Sequence, residues 1–345
     1  MFMKVALVGV TGYAGMVLYQ LLKAHPDVDQ INLYGHDLDH AVPLYEAVPQ
    51  FGPTEDALLH PYDPAVIQAD NDVLFFATSA GITNTLATPF IAAHFPVIDL
   101  SGDYRLKDPA QYAKWYHKDP APQAALTAAH FGLAEFANAL GQTYVANPGC
   151  YATATLLGIA PLIQQHLIVK DSLIVDAKSG TSGAGKKLTT MSHFSQTNEN
   201  LQLYGINTHK HIPEIMQEVH QWDPEVPALQ FSTTLLPITT GLMATIYAKV
   251  APGVDGEAIA EAYTKTYQED FFVRFTGEQL PTLKQVVGSN FTDIGAVYNP
   301  VTNTVLVVSV IDNVIKGAGG QAIQNFNQMF GFDALAGLPT TVALP

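Results

Sequence analysis

The chain of 345 residues is poor in cysteine, in arginine and in long apolar runs, and each shortage excludes something. Cys150 is the single cysteine, so no disulfide framework can form within the chain, and a reducing, cytoplasmic setting is expected. Arg105 and Arg274 are the two arginines, and 31 acidic against 16 basic residues leave a formal charge of −15. A chain so acidic repels phosphate backbones and anionic bilayers, which argues against nucleic acid and membrane as partners. No apolar run approaches the ~20 residues that a spanning helix needs. The apolar stretch of Met1 to Val10 is too short for a signal sequence and runs straight into Gly9 and Gly12.

What is present is the profile of a folded protein: 48% hydrophobic and 14% charged residues, with no internal repeat or low-complexity tract. At roughly 100 to 200 residues per domain, two domains are expected. Short apolar runs at Lys4–Gly9, Gln30–Tyr34, Asp72–Ala77 and Pro96–Leu100 alternate with helical spacing, as at Met16–His25. That alternation predicts parallel βαβ units, a doubly wound α/β domain. After Cys150 a helix is expected over about Tyr151–Gln165, then strands at Ser172–Ala177, Gln230–Leu236, Ala244–Val250 and Asn303–Ile311. Strands with fewer helices between them predict an α+β domain with a mixed sheet. The expected division is 1–149 for the first domain, joined by a C-terminal helix over 317–345, and 150–316 for the second, which carries catalysis and oligomerisation.

Gly9-Val-Thr11-Gly12-Tyr13-Ala14-Gly15 stands where the first strand hands over to a helix. Its backbone amides and the helix start can hold a pyrophosphate, as in the dinucleotide fingerprint, of which this G-x-x-G-x-x-G is a variant. Ser79-Ala80-Gly81 follows the third strand and is expected at the same ligand crevice. After the second strand stand His36 and Asp37. Asp37 suits a free ribose 2′-hydroxyl and His36 a 2′-phosphate, so the residues leave NAD and NADP both open.

Asn147-Pro-Gly-Cys150 places the one thiol at a predicted helix start, where the positive helix end favours the thiolate, the nucleophilic form. The bland alternative is a buried core cysteine. Such a nucleophile wants a proton acceptor, and Thr208-His209-Lys-His211-Ile-Pro213-Glu214 is the best supplier among the twelve histidines. His211 is the first choice and His209 the rival. Pro213 suits a first helical turn, which would leave His211 in the loop at its mouth. Arg105, after the fourth strand, is expected to anchor an anion unless it forms a surface ion pair with Asp103 or Asp108. Arg274 reads as a solvent-facing strand residue. Lys178-Ser-Gly-Thr-Ser182-Gly183-Ala-Gly-Lys186 and Asp312-Asn313-Val-Ile-Lys-Gly-Ala-Gly offer glycine-rich backbone beside cations, suited to a nicotinamide end or an acyl phosphate.

Taken in order, the glycine turn, Asn-Pro-Gly-Cys, Ser-Gly-Thr-Ser-Gly-Ala-Gly, His-Lys-His-Ile-Pro-Glu and Asp-Asn-Val-Ile-Lys-Gly-Ala-Gly-Gly-Gln resemble the N-acetyl-γ-glutamyl-phosphate reductase family over nearly the whole chain. The resemblance implies a Rossmann domain and a mixed-sheet catalytic domain of the semialdehyde and glyceraldehyde-phosphate dehydrogenase type. It also implies a small acyl-phosphate substrate, arginine biosynthesis, NADP as cofactor, a homo-oligomer and no metal. Cys150 is then the nucleophile and His211 its partner, with Asn147, Arg105, Lys178 and Lys186 at the substrate, and Ser182, Gly183 and Asn313 at the dinucleotide. Three positions depart from the family pattern: Gly35-His36 stands in place of Ser-Arg, Thr240 in place of Arg, and Lys186 where Arg often ends the motif. The alternatives are an aspartate-semialdehyde dehydrogenase or a reductase of carrier-bound acyl phosphates, and, from another class, a non-catalytic dinucleotide sensor.

Overall fold

The computed structural model describes residues 3–343; residues 1, 2, 344 and 345, at the outer ends of the expected ranges, lie outside the described residues. The chain divides into two compact units, Met1–Pro148 with Ala318–Leu338, and Gly149–Gly317 with Pro339–Pro345. Asn290 N donates to Pro339 O at 3.1 Å and Ala343 N to Val287 O at 2.9 Å, which ties the tail from Pro339 onward to the second unit.

The first unit is built on an eight-stranded sheet. Its strands are β1 (Met3–Val8), β2 (Val28–Gly35), β3 (Val42–Pro43), β4 (Leu58–Pro61), β5 (Val73–Phe76), β6 (Val97–Asp99), β7 (His130–Phe131) and β8 (Tyr144–Ala146), in the order β3-β4-β2-β1-β5-β6-β8-β7. Pairing is parallel except for the antiparallel edge pair β3 and β4. β5 reads Val-Leu-Phe-Phe with all four residues buried, because a parallel sheet covered on both faces selects continuous apolar runs. Successive strands leave β1 toward β2 and β4 on one side and toward β5 and β6 on the other. The switch point, where such sheets bind ligands at their carboxyl ends, thus falls between β1 and β5.

The second unit carries a seven-stranded mixed sheet, with β9 (Ile174–Ser179), β10 (Gln202–Tyr204), β11 (Gln230–Leu235), β12 (Leu242–Lys249), β13 (Val273–Phe275), β14 (Thr292–Asn299) and β15 (Thr304–Ile311), in the order β10-β11-β9-β12-β15-β14-β13. The helix Cys150–Gln164 lies across it, with every residue from Tyr151 to Ile163 buried. A helix apolar on all sides is a core helix. Pro161 inside it has no N–H for the carbonyl four residues earlier, and that carbonyl, Leu157 O, accepts from the Tyr267 hydroxyl instead. Tyr263 adds a bond to Gly158 O at 2.5 Å. Gly158 has no room for a side chain, since a Cβ there would meet Ile246 Cδ1 at 2.7 Å.

Arg274 lies on the edge strand β13, as read, and is held there: its guanidinium meets Asp293 through Nε at 2.6 Å and Nη2 at 2.9 Å. Among the described residues no helix is long and apolar enough to cross a membrane.

Candidate active site

In the first unit the three glycines of the β1 turn do three different things. Gly9 adopts φ +101°, and a Cβ there would sit 2.6 Å from Ala77 O, so only glycine allows β1 and the end of β5 to approach. A Cβ on Gly15 would lie 2.1 Å from Gly9 O, so the helix Tyr13–Lys23 packs directly on the turn. Gly12 is the helix N-cap, and a Cβ on it would meet only Gly9 O, at 3.7 Å. Bare backbone therefore faces open space at the helix start. These are the features a pyrophosphate needs, namely a tight turn, close backbone approach and amides at a positive helix end. The residues fit a dinucleotide.

Ser79-Ala80-Gly81 follows β5, on the other side of the switch point, with Gly81 at φ +88°. Gly81 N donates to Asp103 Oδ1 at 2.6 Å and Asn84 N to Asp103 Oδ2 at 3.0 Å. His36, like Asp37, is exposed in the turn after β2.

In the second unit Cys150 is the first residue of its helix, capped by Gly149, and is partly exposed. First-turn amides of a helix have no intrahelical acceptor, so an anion at this end is favoured. Gly317 presses on the thiol-bearing residue: a Cβ there would stand 2.6 Å from Cys150 Cβ. Gly317 belongs to a π-helical turn, Ile315–Gly319, whose bond from Gly317 N to Asp312 O measures 2.9 Å. Such turns recur at functional sites.

The helix His211–Trp222 packs against the Cys150 helix. His211 is its first residue, not a loop residue as expected, with Pro213 still in the first turn. Glu214, fully buried, accepts from Gly149 N through Oε1 at 2.7 Å, and its Oε2 lies 3.9 Å from His211 Nε2. His209 lies beside His211, the two rings 4.8 Å apart between centroids. Its Nδ1 accepts from His211 N at 3.2 Å, and its ring stands edge-on to Tyr151. Burial, with the Lys210 charge beside it, lowers its pKa to about 4. It is therefore neutral near pH 7. Tyr151 and Tyr204 close this side through a hydroxyl pair at 2.9 Å. Burial raises both phenols, that of Tyr204 to about 12.

Asn313 knots three loops of this unit: its Oδ1 accepts from Gly241 N at 2.7 Å and its Nδ2 donates to Ser182 Oγ at 2.9 Å. Gly183 joins them, since a Cβ there would meet Ser179 Oγ at 2.9 Å. Lys186 is exposed in the segment that follows.

Three residues expected at the substrate also have partners within the protein. Asn147 is fully buried, and its amide is engaged by Ala318 O at 3.2 Å and by Asn325 Nδ2 at 3.0 Å, so it fastens β8 to the C-terminal helix. Arg105 does not lie at the surface. It is buried, with Nε on Asn147 O at 2.8 Å and Nη2 on Leu100 O at 2.7 Å. Lys178 bonds Asp176 Oδ2 at 2.5 Å and lies on the opposite face of β9 from Val175, Ala177 and Ser179. The face it leaves carries the Cys150 helix, because Val175 pairs with Ile246, on which Gly158 packs.

A dinucleotide turn in one unit and a helix-start thiol with a histidine in the other define the semialdehyde dehydrogenase class. Residues 4–145 match the family described as semialdehyde dehydrogenase, NAD binding domain, and residues 150–313 match semialdehyde dehydrogenase, dimerisation domain. Among solved structures, aspartate semialdehyde dehydrogenase II of Vibrio cholerae in complex with ASA aligns at TM-score 0.69 and 16% identity, over 95% of this chain and 98% of that one. The chain is 60% identical to N-acetyl-gamma-glutamyl-phosphate reductase of Limosilactobacillus fermentum, over 99% of this chain and all of the relative. It is 57% identical to N-acetyl-gamma-glutamyl-phosphate reductase 2 of Lactiplantibacillus plantarum over the same shares. It belongs to the N-acetyl-γ-glutamyl-phosphate reductase family.

Proposed function

We propose that the protein reduces N-acetyl-γ-glutamyl phosphate to N-acetylglutamate semialdehyde, with release of phosphate, as a step of arginine biosynthesis. The observation that carries this reading is the Glu214 carboxylate, which holds the turn before Cys150 with one oxygen and approaches the His211 imidazole with the other. His211 takes the proton of the Cys150 thiol. The thiolate attacks the acyl phosphate carbonyl, the carbon–sulfur bond forms, the bond to the phosphate oxygen breaks, and a thioester remains on Cys150. First-turn amides of the Cys150 helix stabilise the oxyanion formed during attack. A reduced nicotinamide dinucleotide, when bound, supplies the hydride that converts the thioester carbonyl to the aldehyde. As the sulfur leaves, His211 returns the proton to it.

In this reading Gly9, Thr11, Gly12, Tyr13, Ala14, Gly15 and the Ser79–Gly81 loop would hold the dinucleotide phosphates, and Ser182, Gly183 and Asn313 are the second unit's candidates for binding the dinucleotide. NADP is proposed over NAD because the exposed His36 ring, in the turn after β2, offers an N–H donor to a 2′-phosphate. A homo-oligomer is proposed on the match to a dimerisation domain. A cytoplasmic location suits a biosynthetic enzyme that depends on a reduced thiol. The test runs the reaction in reverse, with N-acetylglutamate semialdehyde or aspartate semialdehyde, phosphate, and NADP or NAD. Efficient dinucleotide reduction with the first aldehyde and NADP is expected. Turnover confined to aspartate semialdehyde overturns the substrate, and a preference for NAD overturns the cofactor.

A further inference from the structure

We propose that Asp103 is a positioning residue for the dinucleotide, acting through the backbone of the loop after β5; this rests on reading the first unit as the dinucleotide-binding unit. Ser79-Ala80-Gly81 has little side chain with which to pack, and Gly81 holds a left-handed conformation. Ala80 packs on the cluster of Leu106, Tyr112 and Tyr116, and one carboxylate holds two backbone amides of this stretch. Asp103 is fully buried, accepts from Gly81 N at 2.6 Å and Asn84 N at 3.0 Å, and takes a third bond from the Tyr112 hydroxyl at 2.6 Å. Its negative charge is directed at loop amides and a phenol rather than at the space where phosphates are expected.

Asp103 is itself placed by a second buried carboxylate. Asp99, the last residue of β6, accepts from Ser101 N at 2.8 Å, Ser101 Oγ at 2.9 Å and the Tyr144 hydroxyl at 3.1 Å. Ser101 Oγ then accepts from Asp103 N at 3.2 Å. A chain of bonds so runs from the end of β6 to the loop at the end of β5, on the side of the switch point opposite the glycine turn. Buried carboxylate bonds to backbone N–H groups are among the stronger ones, and losing them frees the loop to sample conformations that do not receive the ligand.

The test uses the full-length protein and measures the Kd of NADPH and of NADH by calorimetry, with the thermal midpoint of the unliganded protein and kcat at saturating dinucleotide. Asp103→Ala is expected to weaken the preferred dinucleotide by about tenfold or more, while kcat at saturation stays within about twofold. Asp103→Asn, which keeps one acceptor oxygen, falls between. Hydrogen exchange at the Gly81 amide rises in both variants, ahead of global unfolding. A role confined to stability would lower the midpoint and leave Kd unchanged well below it, and that result overturns the proposal. Should Asp103→Ala fail to fold, Tyr112→Phe removes one of the three donors. A smaller weakening in the same direction is then expected, and unchanged Kd with unchanged Gly81 exchange overturns the proposal. A wild-type protein that binds neither dinucleotide sinks the reading of the first unit instead, so the two failures are distinct.

Discussion

Glu214 Oε1 accepts the backbone N–H of Gly149 at 2.7 Å across 65 residues of sequence, which ties the turn before the thiol to the helix that begins with His211. Removing that carboxylate should loosen both at once. For Glu214→Ala, kcat is expected to fall by up to about a hundredfold, the scale of a misplacement near 1 Å, with dinucleotide Kd unchanged. Glu214→Gln retains an acceptor for Gly149 and should recover part of the loss. Wild-type kcat in Glu214→Ala would contradict this role.

Gly12 and Gly15 separate ligand approach from packing. A Cβ on Gly12 makes only an ordinary contact with Gly9 O at 3.7 Å, so Gly12→Ala should cost at most about 1 kcal/mol of stability, the scale of a cap change, yet weaken dinucleotide binding at least about tenfold. At Gly15 the same change meets Gly9 O at 2.1 Å and should destabilise the unit by several kcal/mol. Thermal midpoints and Kd values for the two variants check this. Equal effects on stability would contradict it.

Gly317→Ala tests the packing behind the thiol. The added methyl would lie 2.6 Å from Cys150 Cβ, so Cys150 or the π-helical turn must shift. Stability should drop by about 1 to 3 kcal/mol. The rate of thiol alkylation and kcat should change together. An unaltered alkylation rate would show that the close contact does not set the position of the thiol.

The half-buried His209 and the fully buried Asp99 give stability slopes of opposite sign. His209 has its pKa lowered to about 4 from an ordinary 6.5, by burial first and then by Lys210. Between those values the unfolded chain takes up a proton that the folded chain refuses. Its contribution is therefore complete above pH 6.5 and declines as pH falls toward about 4, by about 3 kcal/mol in all. Asp99 is raised to about 7 from 3.8, by burial first and then by the Asp103 charge. Here the folded chain holds the extra proton, so the contribution is complete below pH 3.8 and is lost as pH rises through about 7. Thermal midpoints across this range should show a flatter acid limb for His209→Gln and a flatter neutral limb for Asp99→Asn. Slopes identical to wild type would contradict the burial of these groups.

What was legible in the sequence is what backbone chemistry determines locally. The glycine turn after β1, the helix at Cys150 and the alternating strands of the first unit follow from neighbours along the chain. Asp103, Glu214 and Gly317 act through partners distant in sequence, so residue type alone did not mark them. The partners of Asn147 and the strand face of Lys178 were hidden for the same reason. Both are polar and adjoin a motif, but burial engages the first with Ala318 and Asn325, and strand alternation turns the second to the other face of β9. β14 escaped because Asp293 and Gly295 interrupt its apolar pattern. Gly295 is needed there, since a Cβ would lie 2.7 Å from Gln279 O.

The central claim is that the Cys150 sulfur forms a covalent bond to the substrate carbonyl. Incubating the enzyme with N-acetyl-γ-glutamyl phosphate in the absence of dinucleotide, quenching in acid and weighing the intact protein tests it directly. One N-acetylglutamyl group per chain, mapped to Cys150 and absent from Cys150→Ser, is the predicted result. An enzyme that turns over with NADPH yet acquires no acyl group, or whose Cys150→Ser variant retains substantial turnover, would contradict it.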